Sequence, residues 1–265
     1  MAHQHLADLL DLDIDVLHDY HRAVIGWAGS LVPDRPRIVD LGAGSGAGTL
    51  SLARLLPTAE VTAVDVDEEM LDHLRRRAAA TGVADRVRTI RADLDGEWPA
   101  LGPADLVWAS ASMHHLADPA RALTRVRDVL RPGGAFVVTE MDSFPRFLSG
   151  TADAALEDRL HEAAAQRRHE AGLHMGLDWG ARLKAAGFEL DGERRFDIKL
   201  PSPLPAKAVD YARATLERAR HGLADQLDAT DRAALERVIT TLPEREDLTV
   251  HATRDVWTAR RPQAG

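Results

Sequence analysis

Several residues in this chain have types and spacings that could do chemistry together. The run Val39-Asp-Leu-Gly-Ala-Gly-Ser-Gly-Ala-Gly48 is glycine-rich, which allows a tight turn and a close approach of backbone to a ligand. Asp65 lies about twenty residues further on, where a carboxylate offers two oxygens to a ribose diol. The same carboxylate could instead cap the helix that follows. Asp40 stands two residues before the first glycine, where a dinucleotide-binding loop carries an apolar residue. It would pair with an ammonium group, or order the loop through water and backbone N–H. Asp93, in Arg91-Ala-Asp-Leu94, can accept from an exocyclic amine, with Leu94 beside the ring. The glycines alone do not choose a ligand, because Gly42, Gly44 and Ala47 also satisfy the G-x-G-x-x-A pattern of dinucleotide sites.

These residues need a scaffold, and the patterning supplies one. Short apolar runs at Arg37–Leu41, Glu60–Asp65, Val87–Ala92, Asp105–Ala109 and Ala135–Glu140 alternate with helical stretches at Thr49–Leu56, Glu68–Thr81 and Asp118–Leu130. Strands alternating with helices imply βαβ units and a parallel sheet, with ligands at the carboxyl ends of the strands. Asp118 followed by Pro119 marks a helix start, and Arg131-Pro-Gly-Gly134 reads as a turn. Leu17, Tyr20, Val24, Trp27 and Leu31 form a helical stripe in an acidic amino-terminal segment, with Asp13 or Asp15 as its cap. Later come helices at Thr151–Ala171 and Asp178–Ala186. Two strands, Phe188–Leu200 and Thr249–Arg260, then flank a helical insert of about residues 205–242. They suit an antiparallel hairpin at the sheet edge, and the final RRPQAG reads as a frayed tail. The implied division is a helical cap over 1–34, a core over 35–200 with a helical segment at 146–176, a lid over 201–247, and a last strand with tail over 248–265.

Composition narrows the chemistry. The chain has 265 residues, 33 Lys and Arg against 42 Asp and Glu, and a net charge of −9. Nucleic acid as partner is disfavoured, since phosphate contacts need clustered positive charge. Zero cysteines exclude a thiolate zinc site, an iron–sulfur cluster and a cysteine nucleophile. No apolar run approaches the length of a membrane span, and the amino terminus lacks a signal-peptide pattern, which predicts a cytoplasmic protein without membrane association. No metal site is expected.

Further candidates lie beyond strands four and five. His114 and His115 follow strand four; an imidazole titrating near neutrality suits general-base work, and a hydrogen-bonded structural role is the alternative. Glu140, Asp142 and Arg146 follow strand five. Arg146 could hold an acceptor carboxylate bidentately or lie on the surface. Asp142 could order an acceptor or cap a segment. His174, Met175 and Trp179 belong to a segment that could close over the site, Tyr211 is a lid contact or a helix-packing residue, and Trp108 is core. His161 and His169 read as solvated.

At VDLGAGSGAG (39–48), AVDVDEEML (63–71), RADL (91–94), ADLVWASASMHHL (104–116) and VLRPGGAFVV (129–138) the chain resembles the class I S-adenosylmethionine-dependent methyltransferases of the small-molecule type. The five segments keep the family's order and spacing. The resemblance implies an α/β fold: a Rossmann-like, doubly wound, seven-stranded, mostly parallel sheet with its last strand antiparallel, plus a helical cap. It implies that Gly42, Ala43, Gly44 and Gly46 hold the methionine moiety of S-adenosylmethionine, with Asp40 near its amino group. It places Asp65 on the ribose, Val66 and Met70 near the adenine, Asp93 on the adenine amine with Leu94 alongside, and Ala109 and Ser110 at the sulfonium end. Tyr20 would cover the cofactor. His115 and His114 are the candidate bases, and Asp142, Arg146, His174 and Tyr211 the candidate acceptor contacts. The implied activity is in-line methyl transfer to oxygen, nitrogen or carbon of a small molecule, leaving S-adenosylhomocysteine. A homodimer is admitted. A non-methylating cyclase or decarboxylase using the same pocket is the first alternative. An NAD-dependent oxidoreductase is the second, and it lacks an evident Tyr-x-x-x-Lys pair here.

Overall fold

Seven strands form one sheet in the order β3-β2-β1-β4-β5-β7-β6. They are β1 (Arg37–Leu41), β2 (Glu60–Asp65), β3 (Val87–Arg91), β4 (Ala104–Ser110), β5 (Leu130–Glu140), β6 (Glu189–Leu200) and β7 (Val250–Arg260). The computed structural model describes residues 2–263. Strands β1 to β5 pair in parallel, and β7 runs antiparallel between β5 and β6. The order reverses between β1 and β4, so the carboxyl ends of those two strands open the crevice where such sheets bind ligands.

Nine helices lie among the described residues: α1 (Ala2–Val16), α2 (His18–Gly29), α3 (Ala47–Leu55), α4 (Glu68–Ala80), α5 (Pro119–Val129), α6 (Ala154–Glu170), α7 (Trp179–Ala185), α8 (Ala206–Gly222) and α9 (Ala229–Thr241). Strand alternation sorts the core. Ile38, Leu106, Trp108 and Val137 face α2, α3 and Tyr211 of α8, while Val39, Val107, Ala109, Phe136 and Val138 face α5 and α7. A third cluster joins α6, α8 and α9 through Leu160, Leu216 and Leu235. None of these helices is long and apolar enough to cross a membrane.

Local chemistry explains most boundaries. Asp118 caps α5 by accepting from Arg121 N–H, with Pro119 at the first helical position. The cap of α4 is Asp67, which accepts from Glu69 and Met70 N–H, so Asp65 is released from that role. Neither Asp13 nor Asp15 starts a helix: α1 runs through both. The Arg131–Gly134 segment belongs to β5, not to a turn. The backbone following β7 recruits it: Gly133 N–H donates to Arg261 O, and Arg261 N–H to Gly134 O. Arg261 also donates to the carbonyls of Arg127 and Leu130, which pins the expected tail as far as it is described. Met1, Ala264 and Gly265 lie outside the described residues.

The aspartates of α1 fasten it across the carboxyl edge of the sheet. Asp11 pairs with His73 and Arg77 of α4, and Asp15 with Lys207 of α8. Between them, Asp13 accepts from Arg254 of β7 at 3.0 Å, from Tyr211 of α8, and lies 3.0 Å from His21 of α2. Burial pushes the Asp13 carboxyl up, but Arg254, His21 and Tyr211 outweigh it and hold it well below the usual range. Removing one partner of such a pair strands the other charge in the interior. Asp13→Ala should therefore cost about 3 kcal/mol in chemical denaturation. Asp13→Leu combined with Arg254→Met should recover part of that loss; a double variant as unstable as the single would contradict this reading of the pair.

Candidate active site

The glycine loop joins β1 to α3 and is shaped by its neighbours. Gly42 and Ala43 N–H both donate to Val64 O, which ties the loop to β2. A Cβ at Gly42 would lie 2.4 Å from Ser112 Cβ, at Gly46 2.5 Å from Leu74, and at Gly48 2.4 Å from Trp108 Nε1. Those three glycines answer to packing within the protein. At Gly44 the nearest atom is Leu10 of α1 at 3.3 Å, and φ is +52°, a conformation that favours glycine. Gly44 is thus the loop glycine with the most open space around it, the one a ligand could approach most closely. Beside it, the buried Ser45 Oγ has no hydrogen-bond partner. An orphaned buried hydroxyl in a glycine cradle fits a polar ligand there.

Two carboxylates flank the loop. Asp65 accepts from Gly44 N–H at 2.8 Å with one oxygen and from Asp67 N–H at 2.9 Å with the other. It holds the loop against the end of β2, where a diol could be bound. Asp40 is buried and accepts from Thr49 Oγ1 at 2.6 Å. With no cation among the described residues paired to it, burial pushes its carboxyl up to about 7, against the pull of Thr49, and the charge of Asp65 adds a little. An ammonium group from a ligand is what this carboxylate lacks.

The adenine-side candidates are spread out. Val66 is 56% exposed, whereas Met70 is 3% exposed and lies inside the protein. Asp93 accepts from Asp95 N–H at 2.9 Å in a tight turn, and Leu94 packs against the α5 side of the core while its carbonyl accepts from Trp98 Nε1. At the end of β4, alternation separates the two sulfonium-side candidates: Ala109 is wholly buried on the α5 and α7 face, so the lining role expected for it passes to Ser110. Ser110 Oγ lies 2.7 Å from Thr139 Oγ1. The next residue, Ala111, has φ of +51°, a strained conformation for a non-glycine residue at a strand's functional end.

Tyr20 is buried in the same cluster as Ala43 of the glycine loop. Its ring meets Phe196 edge-on at 5.2 Å. Burial pushes its hydroxyl up to about 12, so it is a neutral donor. Tyr211 is buried, donates to Asp13 of α1 and meets Phe147 edge-on, the packing role among those expected for it.

The histidines divide. His114 is buried, with Nδ1 2.6 Å from Glu140 Oε2, and its carbonyl accepts from His174 N–H at 2.8 Å. That makes His174 a backbone strut of the site. The His115 ring lies 4.1 Å from that of His114. Its proton affinity is not near neutral as expected: lost hydration, aided by His114 and Arg218, pushes it down to about 4. Asp142 pairs with Arg195 at 2.9 Å, beside a cavity of about 260 Å³ that also takes in Glu140, Glu193, Asp255 and Trp257. None of the cavity's lining residues belongs to the glycine loop. Arg146 spends its guanidinium on Asp158 at 2.6 Å, an intramolecular pair in place of an acceptor contact. His161 is half-buried rather than solvated, and lost hydration with nearby Arg146 and Arg168 pushes it down to about 4.

Sequence reasoning missed Ser45, Thr139, Arg254 and the pairing of Asp13. Arg254 left a signal: it interrupts the apolar side Ala252, Val256 of β7.

Comparison with known proteins bears on the family and the fold. A family model described as a methyltransferase domain matches residues 38–134. The trans-aconitate 2-methyltransferase of Streptomyces coelicolor is 30% identical over 224 residues, 81% of this chain and 70% of that one. Other curated relatives match over shorter stretches, and the chain spans about half of their length or less. Among solved structures, an S-adenosylmethionine-dependent methyltransferase of Geobacter sulfurreducens with bound S-adenosylhomocysteine has a TM-score of 0.52 and 22% identity, covering 91% of this chain and 90% of that one. The 4+2 cyclase SpnF has a TM-score of 0.56 and 22% identity, covering 91% and 82%.

Asp40 gives a pH prediction. Its folded proton affinity exceeds the unfolded one, so the folded state binds more protons between about pH 4 and 7 and stability falls as pH rises through that window. Asp40→Asn should remove a pH-dependent contribution on the order of 4 kcal/mol. Denaturation at pH 4.5 and pH 8 checks it; an equal pH response of variant and wild type would contradict the assignment.

Proposed function

The chain belongs to the class I S-adenosylmethionine-dependent methyltransferases, and on that premise we propose that it methylates a small-molecule acceptor. The observation that carries this reading is the Gly44 cradle, with its orphaned Ser45 hydroxyl between Asp65 and the cation-free Asp40. S-adenosylmethionine, the family's cofactor, supplies an activated methyl carbon when bound. In this reading Gly44 and Ser45 meet its methionine moiety, Asp40 balances its ammonium, and Asp65 takes the ribose diol in exchange for part of its hold on the loop. Val66 and Leu94 border the adenine, and Asp93 receives its amine.

The acceptor lies over the ends of β4 and β5. Ser110 and Thr139 form a hydrogen-bonded pair there, and α1 with α8 closes over it to exclude water. Positioning then carries most of the acceleration. His114 is the structural member of the histidine pair, fixed by Glu140. His115 is exposed beside it, and its lowered proton affinity makes it a neutral imidazole at physiological pH and a weaker base than free imidazole. An acceptor that needs little base assistance suits it. The relatives' name, trans-aconitate 2-methyltransferase, supports a small carboxylic acid as one such acceptor.

The fold similarity to SpnF favours one second reading, a non-methylating enzyme using the same cleft. Methyl-labelled S-adenosylmethionine separates the two: transfer of label to acceptor marks a methyltransferase, and turnover without methyl loss the alternative.

Asp65→Ala and Gly44→Val should each weaken S-adenosylhomocysteine binding at least about tenfold in calorimetry, since each removes a contact or fills the cradle. Unchanged affinity in either would remove this site assignment. Because His115 stays neutral above about pH 4, the ratio of His115→Ala to wild-type turnover should be constant from pH 5.5 to pH 8. A ratio that changes through pH 6.5 would contradict the lowered proton affinity.

A further inference from the structure

The antiparallel edge of the sheet gathers negative charge on the face that packs against α7. In register, Glu140 of β5 stands opposite Asp255 of β7, and Asp255 opposite Arg195 of β6. Two residues along β7, Trp257 stands opposite Glu193 of β6. Directly opposed residues point to one face, so these five side chains share it. With Asp142 after β5 and Asp178, the cap of α7, they line the cavity of about 260 Å³. Five carboxylates and one guanidinium therefore border the same space.

The protein's own groups do not balance this charge. Arg195 serves both Asp142, at 2.9 Å, and Asp255, at 3.1 Å. Glu140 is engaged by His114, and Asp178 by the N–H of Ala181. Lost hydration pushes the Asp255 carboxyl up against the pull of Arg195, and the charges of Asp142 and Glu193 push it further. A second observation points to a ligand. Trp257 is 5% exposed, and its buried Nε1 has no hydrogen-bond partner. That N–H stands at the Asp178 wall of the cavity: a Cβ at Gly180 would lie 3.1 Å from Nε1 and 3.3 Å from Asp178 Oδ1. A buried donor without a partner is unfavourable, and a ligand oxygen would satisfy it. Among the described residues, no three acidic or histidine side chains converge closely enough to hold a metal ion. Charge spread over several walls suits an organic cation.

We propose that this cavity binds a small amino alcohol, with its ammonium group among Asp255, Glu193 and Asp142 and its hydroxyl oxygen on the Trp257 N–H. Ammonium and carboxylate form charge-assisted hydrogen bonds, which are strong where water is partly excluded. A hydroxyl accepts from the indole while its own proton is free for Asp178. Through Glu140, which also holds His114, the occupant borders the histidine pair at the end of β4. The cavity lies apart from the glycine loop, so the inference goes beyond the methyltransferase reading and does not rest on it.

The test uses the full chain and three rings of similar shape. trans-4-Aminocyclohexanol carries both groups, cyclohexylamine the ammonium alone and cyclohexanol the hydroxyl alone. Each is titrated calorimetrically into wild type, Asp255→Asn, Glu193→Gln, Trp257→Phe and Glu246→Gln, the last a carboxylate outside the cavity. The amino alcohol should bind wild type most tightly, cyclohexylamine at least about threefold more weakly, and cyclohexanol not at all. Asp255→Asn and Glu193→Gln should each weaken the amino alcohol at least about threefold, whereas Glu246→Gln leaves it unchanged. Trp257→Phe should bring the amino alcohol down to the affinity of cyclohexylamine and leave cyclohexylamine itself unchanged. Thermal unfolding certifies that each variant is folded, and if Trp257→Phe is not, the two carboxylate variants decide. Absence of binding of both amines to wild type overturns the inference, as does undiminished affinity in the carboxylate variants. Equal binding of cyclohexanol and the amino alcohol assigns the cavity to a neutral occupant and overturns it too. S-adenosylhomocysteine, titrated separately, tests the methyltransferase reading, and its outcome does not move this one.

Discussion

The buried pair Asp13–Arg254 is the interaction on which the arrangement of the cleft depends. It brings a carboxylate of α1 to a guanidinium of β7 that is 3% exposed, and Tyr211 of α8 joins the same carboxylate. Segments about two hundred residues apart in the chain meet at one oxygen. Burial works against the charge on Arg254, yet the Asp13 carboxylate beside it keeps it firmly protonated. Neither charge has a low-cost alternative, since separation would leave each dehydrated and alone. The helices that roof the sheet are therefore held over the crevice by electrostatics as well as by apolar packing.

Beneath that roof, the site divides its labour by alternation along the strands. Asp40, Trp108, Ser110, Thr139 and Arg254 lie on the side of α1, α2 and α8, whereas Ala109 lies on the side of α5 and α7. Strand periodicity of two puts polar groups of four adjacent strands on one face, staggered toward the carboxyl ends. The series begins at a carboxylate without a cation and ends at a guanidinium with its own carboxylate. Its unsatisfied groups, Asp40 and the Ser45 hydroxyl, are those nearest the glycine loop, where a ligand with an ammonium group and polar oxygens would satisfy them.

The core of this account was readable from residues because local rules carry it. Apolar runs separated by helices fixed the parallel sheet, and glycines between β1 and α3 marked the crevice. The misreadings have physical causes. Alternating Asp and Leu over residues 10–16 imitates both a strand and a helix cap, and only tertiary partners on α4, α8 and β7 show why the aspartates lie on one continuous helix. The β5 start is set by hydrogen bonds from the residues after β7, more than a hundred positions away. Arg146 looked like an anion ligand by its place after β5, but Asp158 on α6 takes it.

The most direct test of the central claim is calorimetric titration of the chain with S-adenosylhomocysteine and with NADH at pH 6.5, in two buffers of different ionisation enthalpy. S-adenosylhomocysteine should bind at one site per chain and release a proton as its ammonium ionises Asp40, while NADH gives no heat. Binding of NADH with silence from S-adenosylhomocysteine would contradict the account. Binding of S-adenosylhomocysteine without proton release would contradict the role given to Asp40.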